Sequence, residues 1–363
     1  MRNLFGKIIC LALCALLAFP AAFAAAEAET DLQKLLKVAE EALYQGDYET
    51  ALENYRLAAD QGDPTAQARL GDLYQSGLGV EQSIEKALEY YLLAADQGLD
   101  EALYALGYLY LNGTGVEQSY EKAAEYFLLA SDKGYAPAQS ILGTIYSRGA
   151  GVEQDYEKAA EYFTLAAAQE YAPALVALGN LYRDGRGVEQ SYEKAAEYYT
   201  PAAEQDYAPA EMSLGIMYEN GFGVQKSFKA AAYFYQLAAD QGYHAAQGAL
   251  GRLYENGKGV EQNFEKALQY YQLAADKGNA EGQNDLGNLY RDGHGVEQDY
   301  EKAVKYYEQA AKQNHPDALF NLGDCYYYGH GVKKSEETAL EYYILAAKAG
   351  NEKAAQVLPK QPD

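Results

Sequence analysis

The side chains that could do chemistry in this chain are few and dispersed. A hydrolase needs a nucleophile with a base within hydrogen-bond reach, and near neutral pH that base is usually histidine. The four histidines, His244, His294, His315 and His330, are scattered, so a triad would have to assemble from separate segments. His294 and His330 hold the same middle position of consecutive G-x-G segments. If those segments stack as helical layers of roughly 10 Å, the two rings lie about 20 Å apart, beyond the reach of one metal ion. They read as solvent-exposed loop residues. The G-x-G segments cradle no phosphate either, because a dinucleotide fingerprint needs a preceding strand and a third glycine, and here helical patterns flank the glycines.

Carboxylates recur at one loop position, Glu81, Glu117, Glu153, Glu189, Glu261 and Glu297. A glycosidase pair would need two of them about 5–10 Å apart beside a cleft, which one acid per stacked segment does not supply. Ca²⁺ ligation is the weaker alternative to a solvated acidic stripe. The stripe breaks at Gln225, Lys226 and Lys229 and again at Lys333 and Lys334, gaps that either set a partner's register or reflect drift. Cys325 falls where other segments have Leu73, Leu109, Ile145, Leu181, Met217, Leu253 and Leu289, so it reads as a small buried hydrophobe rather than a nucleophile. No catalytic residue, metal or cofactor is expected.

Composition narrows the class further. Acids outnumber bases 53 to 29 over 363 residues, a formal charge of −24, which excludes a phosphate-binding nucleic-acid module. Thirty-seven tyrosines and 49% apolar residues exceed what a disordered chain carries. Three cysteines cannot build a disulfide scaffold. Residues 1–26 have the three-part layout of a secretory signal: Arg2 and Lys7, the apolar run Ile8 to Phe19, then small residues ending in Ala22-Phe23-Ala24 or Ala24-Ala25-Ala26. The run is short of the roughly 20 residues that span a bilayer, so cleavage rather than anchoring is expected, with no membrane insertion afterwards. Cleavage leaves 27 bases against 53 acids, a charge of −26, and Cys325 as the single thiol.

The elements that would position any site are written as a repeat. Leu-Gly pairs fall at Leu70-Gly71, Leu106-Gly107, Leu142-Gly143, Leu178-Gly179, Leu214-Gly215, Leu250-Gly251, Leu286-Gly287 and Leu322-Gly323, each 36 residues after the last. Each unit is an apolar helical pattern, a G-x-G loop, a second helical pattern and a turn, a hairpin that must stack on neighbours to bury its apolar faces. On the first helix Ala66, Leu70, Leu73 and Tyr74 share one arc of the wheel. On the second, Ala87, Tyr91, Ala94 and Ala95 do so, with the Tyr91 ring recurring as Phe127, Phe163, Tyr199, Tyr235, Tyr271, Tyr307 and Tyr343. Gly77 and Gly79, like their equivalents, suit a loop with positive φ, and Gly98 a left-handed helix end. Glu170, Asp206 and Asn314 replace that last glycine; Glu170 should strain its turn or end its helix differently. Residues 27–61 form a shorter capping hairpin resembling a plain tetratricopeptide unit, 62–358 hold eight repeats, and 359–363 are a tail.

The pattern A-x-x-x-L-G-x-L-Y-x-x-G-x-G-V-x-x-(D/S)-x-x-K-A-x-x-Y-Y-x-x-A-A at period 36 resembles the Sel1-like repeat of the tetratricopeptide superfamily. The resemblance implies an all-α, right-handed α-solenoid that acts as a non-enzymatic scaffold for a protein or peptide partner in the periplasm or outside the cell, bacterial above all. It also places the first helices along a concave groove. The variable groove positions Tyr104, Tyr108, Leu111, Met212, Ile216, Arg252, Phe320 and Tyr327 are then candidate partner contacts, against drift and packing between units as the alternative. A rival reading comes from cysteine-rich relatives described as β-lactamase-like or penicillin-binding; their paired cysteines are absent here. A eukaryotic adaptor glycosylated at Asn112-Gly113-Thr114 is a third.

Overall fold

The computed structural model describes residues 31–358. The expected signal, 1–26, and the tail, 359–363, lie outside the described residues. The described residues form two compact units, the first ending at Ala166 and the second beginning at Ala167. Among the described residues every regular element is a helix. In the first unit these are α1 (31–45), α2 (Tyr48–Ala59), α3 (Pro64–Ser76), α4 (Ile84–Asp96), α5 (Asp100–Asn112), α6 (Tyr120–Asp132), α7 (Ala136–Arg148) and α8 (Tyr156–Ala167), whose last residue begins the second unit. The second continues with α9 (Ala172–Asp184), α10 (Tyr192–Ala203), α11 (Ala208–Asn220), α12 (Phe228–Asp240), α13 (His244–Asn256) and α14 (Phe264–Asp276). It ends with α15 (Ala280–Asp292), α16 (Tyr300–Ala311), α17 (Pro316–Tyr328), α18 (Glu336–Lys348) and α19 (Glu352–Val357). Within each unit helices pack pairwise as hairpins and hairpin packs on hairpin, the architecture of an α-solenoid.

Local chemistry explains each repeat. A Ser, Asp or Asn precedes the second helix, and its side chain accepts the backbone N–H three residues on, as Ser191 does from Lys194 at 3.2 Å and Asp299 from Lys302 at 2.9 Å. Gly185 ends α9 at φ 67°. A loop glutamine then donates to a carbonyl seven residues back, Gln190 to Arg183 at 2.8 Å, satisfying a group the helix end leaves open. Ala66, Leu70, Leu73 and Tyr74 are all buried, as are Ala87, Tyr91 and Ala94; Ala95 is half-buried. The lysine of the motif stands over the first-helix tyrosine, Lys194 at 5.0 Å from the Tyr182 ring. That ring in turn stacks on Tyr198 at 5.5 Å.

The helical Leu-Gly glycine has a role that spacing does not reveal. The aromatic knob of the second helix lies against it, so that a Cβ on Gly179 would stand 2.6 Å from Tyr199 Cε1. A glycine in mid-helix is normally unfavourable; here it is the floor on which the ring sits.

Glu170, Asp206 and Asn314 take positive φ, 58°, 56° and 59°. Their helices α8, α10 and α16 have 12 residues, whereas the repeats that keep glycine there have 13 in the second helix. The expected altered helix end is therefore present together with the left-handed residue. One element went unforeseen: α19, a six-residue helix capped by Asn351, whose Ala354 is fully buried against the last repeat.

Candidate functional site

The first-helix columns singled out by their variability have a partly internal explanation. In the eight 36-residue repeats each tyrosine knob finds an acceptor for its hydroxyl in one of two of those columns, whereas the hydroxyl of Tyr55 in the N-terminal hairpin is enclosed without a partner. Tyr91 donates to Asp72 at 2.7 Å, Tyr199 to Asn180 at 2.7 Å, Tyr307 to Asn288 at 2.8 Å and Tyr343 to Asp324 at 2.7 Å. Where Ile216 and Arg252 occupy that column, the acceptor moves one turn on: Tyr235 donates to Glu219 at 2.6 Å and Tyr271 to Glu255 at 2.7 Å. The two repeats with phenylalanine knobs, Phe127 and Phe163, have Tyr108 and Thr144 in that column. A buried hydroxyl without an acceptor costs about 1–3 kcal/mol, so knob and column vary together. Burial pushes Tyr199 up to about 12.

In the first unit, Tyr104 and Tyr108 contact each other edge-on with centroids 4.9 Å apart, and both stand edge-on to Phe127, at 5.7 and 5.5 Å. Tyr104 also meets Tyr135 at 5.3 Å. Leu111 is half-buried beside the same cluster. These three candidates thus belong to one apolar cluster within the unit, half-buried on its own core.

In the second unit Met212 is half-buried against the core of α12 and α13, and Phe320 lies 5.4 Å from the Tyr343 ring. Ile216 and Tyr327 are exposed, at 37% and 43%. Arg252 is the centre of an acidic cluster: it pairs with Glu281 and, at 3.9 Å, with Glu219, and Glu255 and Asp285 lie nearby. Burial, then the neighbouring Glu281, raises Asp285 to about 7, with Arg252 opposing. Its Oδ2 is enclosed and has no hydrogen-bond partner.

A cavity of about 420 Å³ opens between the C-terminal ends of α9 and α11. Arg183, Arg186, Tyr192, Ser213, Ile216 and Phe222 line it. Tyr192 and Phe222 stack at 5.0 Å, and Arg183 is fixed by a two-point pair with Asp184 at 2.7 and 3.1 Å. A concave wall mixing rings, an aliphatic side chain and an oriented guanidinium group can seat a side chain of another molecule. Of its lining only Ile216 was among the expected contacts; Arg186, Tyr192 and Phe222 were missed, since only the packing of one G-x-G loop on the preceding helix brings them together.

The remaining expectations divide cleanly. Cys325 is buried at 3%, and burial pushes its thiol up to about 11. His294 and His330 are exposed, each ring stacked on an aromatic of the preceding repeat, Phe264 at 4.7 Å and Tyr300 at 4.5 Å. The six glutamates of the stripe are exposed. Among the described residues no group of three or more His, Cys, Asp or Glu could hold a metal ion, and no helix is long and apolar enough to cross a membrane.

The family model for the Sel1 repeat matches nine consecutive segments, 39–63, 64–99, 100–135, 136–171, 172–207, 208–243, 244–279, 280–315 and 316–351. The first of these takes in much of the N-terminal hairpin. No curated protein matches the chain. Among solved structures, a Sel1 repeat protein from Oxalobacter formigenes is 31% identical over 67% of this chain and 96% of its own, with a TM-score of 0.62. The protective antigen c5321 of uropathogenic Escherichia coli, described as displaying an SLR fold, is 28% identical over 86% of this chain and 76% of its own, with a TM-score of 0.54. Sel1 repeats are in general protein-binding scaffolds without enzymatic chemistry. On nine in-phase matches spanning most of its length, the chain belongs to the Sel1 repeat family.

Proposed function

We propose that this protein is an exported, non-enzymatic scaffold that holds a protein or peptide partner on the face formed by the first helices of its repeats. The observation that carries the reading is the cavity beside Ile216: the exposed aliphatic and aromatic groups Ile216 and Phe222 meet two arginines there, a combination suited to anchoring one side chain of a partner. Met212, Arg252, Phe320 and Tyr327 extend the same face along the second unit, and Tyr104, Tyr108 and Leu111 occupy the corresponding face of the first. The signal-like layout of residues 1–26 supports export to the periplasm or the medium. The acidic surface favours a basic partner over nucleic acid.

The test is affinity capture from envelope and medium fractions by the chain without residues 1–26, beside an Ile216→Glu variant. Ile216 is the residue to change because it is exposed; charging Tyr104 or Tyr108 would also disrupt packing on Phe127. A partner bound by the parent and lost by the variant, at unchanged helicity and melting temperature, is the expected result. Equal capture by both removes the cavity from the reading.

A further inference from the structure

One first-helix column faces inward and carries Gln67, Leu103, Gln139, Leu175, Glu211, Gln247, Gln283 and Leu319. Gln283 shows what the position asks of a polar side chain. Its Oε1 accepts from Gln313 Nε2 at 3.0 Å, and its Nε2 donates to the Ala275 carbonyl, eight residues back, at 3.4 Å. Gln139 and Gln247 make the same donation, to Ser131 at 3.4 Å and Ala239 at 3.3 Å. Gln67 makes the same acceptance, from Gln97 at 2.8 Å.

Glu211 is fully buried in this frame. Its Oε2 accepts from Gln241 Nε2 at 2.8 Å, reproducing the acceptor half of the pattern, while its Oε1 is enclosed without a partner. In the glutamine repeats the amide nitrogen donates eight residues back, and the same count from Glu211 leads to the Ala203 carbonyl, which accepts from the Asp206 N–H at 3.0 Å. A carboxylate there would set an acceptor against an acceptor; a carboxylic acid carries the missing donor. We infer that Glu211 is held in the folded protein as the neutral acid, its Oε1 proton donated to the Ala203 carbonyl, and that this makes the junction of α10, α11 and α12 a proton-dependent fastening.

The surroundings agree. The charged groups acting on Glu211 are Asp206 in the turn before α11 and Asp240 at the end of α12, both acids. Burial first, then these two, raises its pKa above the ordinary 4.5. A group whose folded pKa is raised binds more protons folded than unfolded. Stability therefore falls as pH climbs from 4.5 to the folded value, and the loss is complete above it. The stack is fastened in acid and loosened at this one junction as the proton leaves.

Glu211→Gln provides the amide that the column uses elsewhere and has no proton to lose. The test compares this variant with the parent chain, both without residues 1–26, by urea midpoint at about pH 4 and about pH 8. Comparing the two proteins at each pH cancels every other titrating group. The variant's midpoint should match the parent's in acid and exceed it at the higher pH. In parallel, the side-chain carboxyl carbon of Glu211, assigned by its loss in the variant, should titrate above the ordinary glutamate value. Titration at the ordinary glutamate value, or a variant gain of equal size at both pH values, overturns the inference.

Discussion

Asp285 and Glu170 are costs carried by single residues, and each can be relieved by one substitution. Asp285 lies among Arg252, Glu281, Glu255 and Asn284, with Oδ2 enclosed and unpaired and its pKa raised to about 7. Because the folded value exceeds the ordinary 3.8, stability is lost as pH rises between the two and the loss is complete above about 7. Asp285→Asn should therefore raise stability by about 1–3 kcal/mol at alkaline pH, the cost of an unsatisfied buried polar atom, with the gain shrinking toward pH 4. Urea unfolding across that range measures it. Glu170 takes φ 58° at a turn where five other repeats place glycine. A left-handed L-residue costs about 1–2 kcal/mol, and glycine returns part of that as chain entropy. Glu170→Gly should then stabilise by about 0.5–1 kcal/mol. Asn314→Gly should gain less, because asparagine tolerates this conformation.

Helical glycines distinguish what periodicity reveals from what packing decides. The Leu-Gly pairs at period 36 made the hairpin, its two core arcs and the solenoid class legible, since those rest on local propensity and on which face must be buried. They did not show why the glycine is there, because the reason is a ring from the next helix. Thermal unfolding of two glycine-to-alanine variants separates the cases. Gly179→Ala drives a Cβ to 2.6 Å from the fully buried Tyr199 ring. Overpacking of about 1–3 kcal/mol should outweigh the roughly 0.5–1 kcal/mol that alanine gains in a helix. Gly248→Ala meets only Asn279 Oδ1, at 3.8 Å, so there alanine should stabilise by that same roughly 0.5–1 kcal/mol. The candidate contacts were legible to a lesser degree. Variable columns were visible, but Asp72, Asn180, Glu219 and Glu255 vary with the hydroxyl they receive. Tyr192, Phe222 and Arg186 come together only through loop packing.

For the whole chain the dominant quantity is charge, −26 once residues 1–26 are removed. Like charges spread over a folded surface repel and oppose compaction. The same field draws a basic partner inward. Both effects act through solvent and weaken as the Debye length shortens from about 30 Å at 0.01 M salt to about 8 Å at 0.15 M. The two consequences therefore have opposite signs: adding NaCl over this range should raise the melting temperature and lower the yield of a captured partner. A contact confined to the cavity beside Ile216, with its rings and the paired Arg183 guanidinium, would instead persist through the same salt range and fail only with Ile216→Glu. Running melting and capture at both salt concentrations on the parent and this variant thus assigns the binding free energy either to the acidic surface as a whole or to the one cavity. A capture that falls with salt and ignores Ile216 would make the repeats a charged surface; one that ignores salt and requires Ile216 would make them a specific seat.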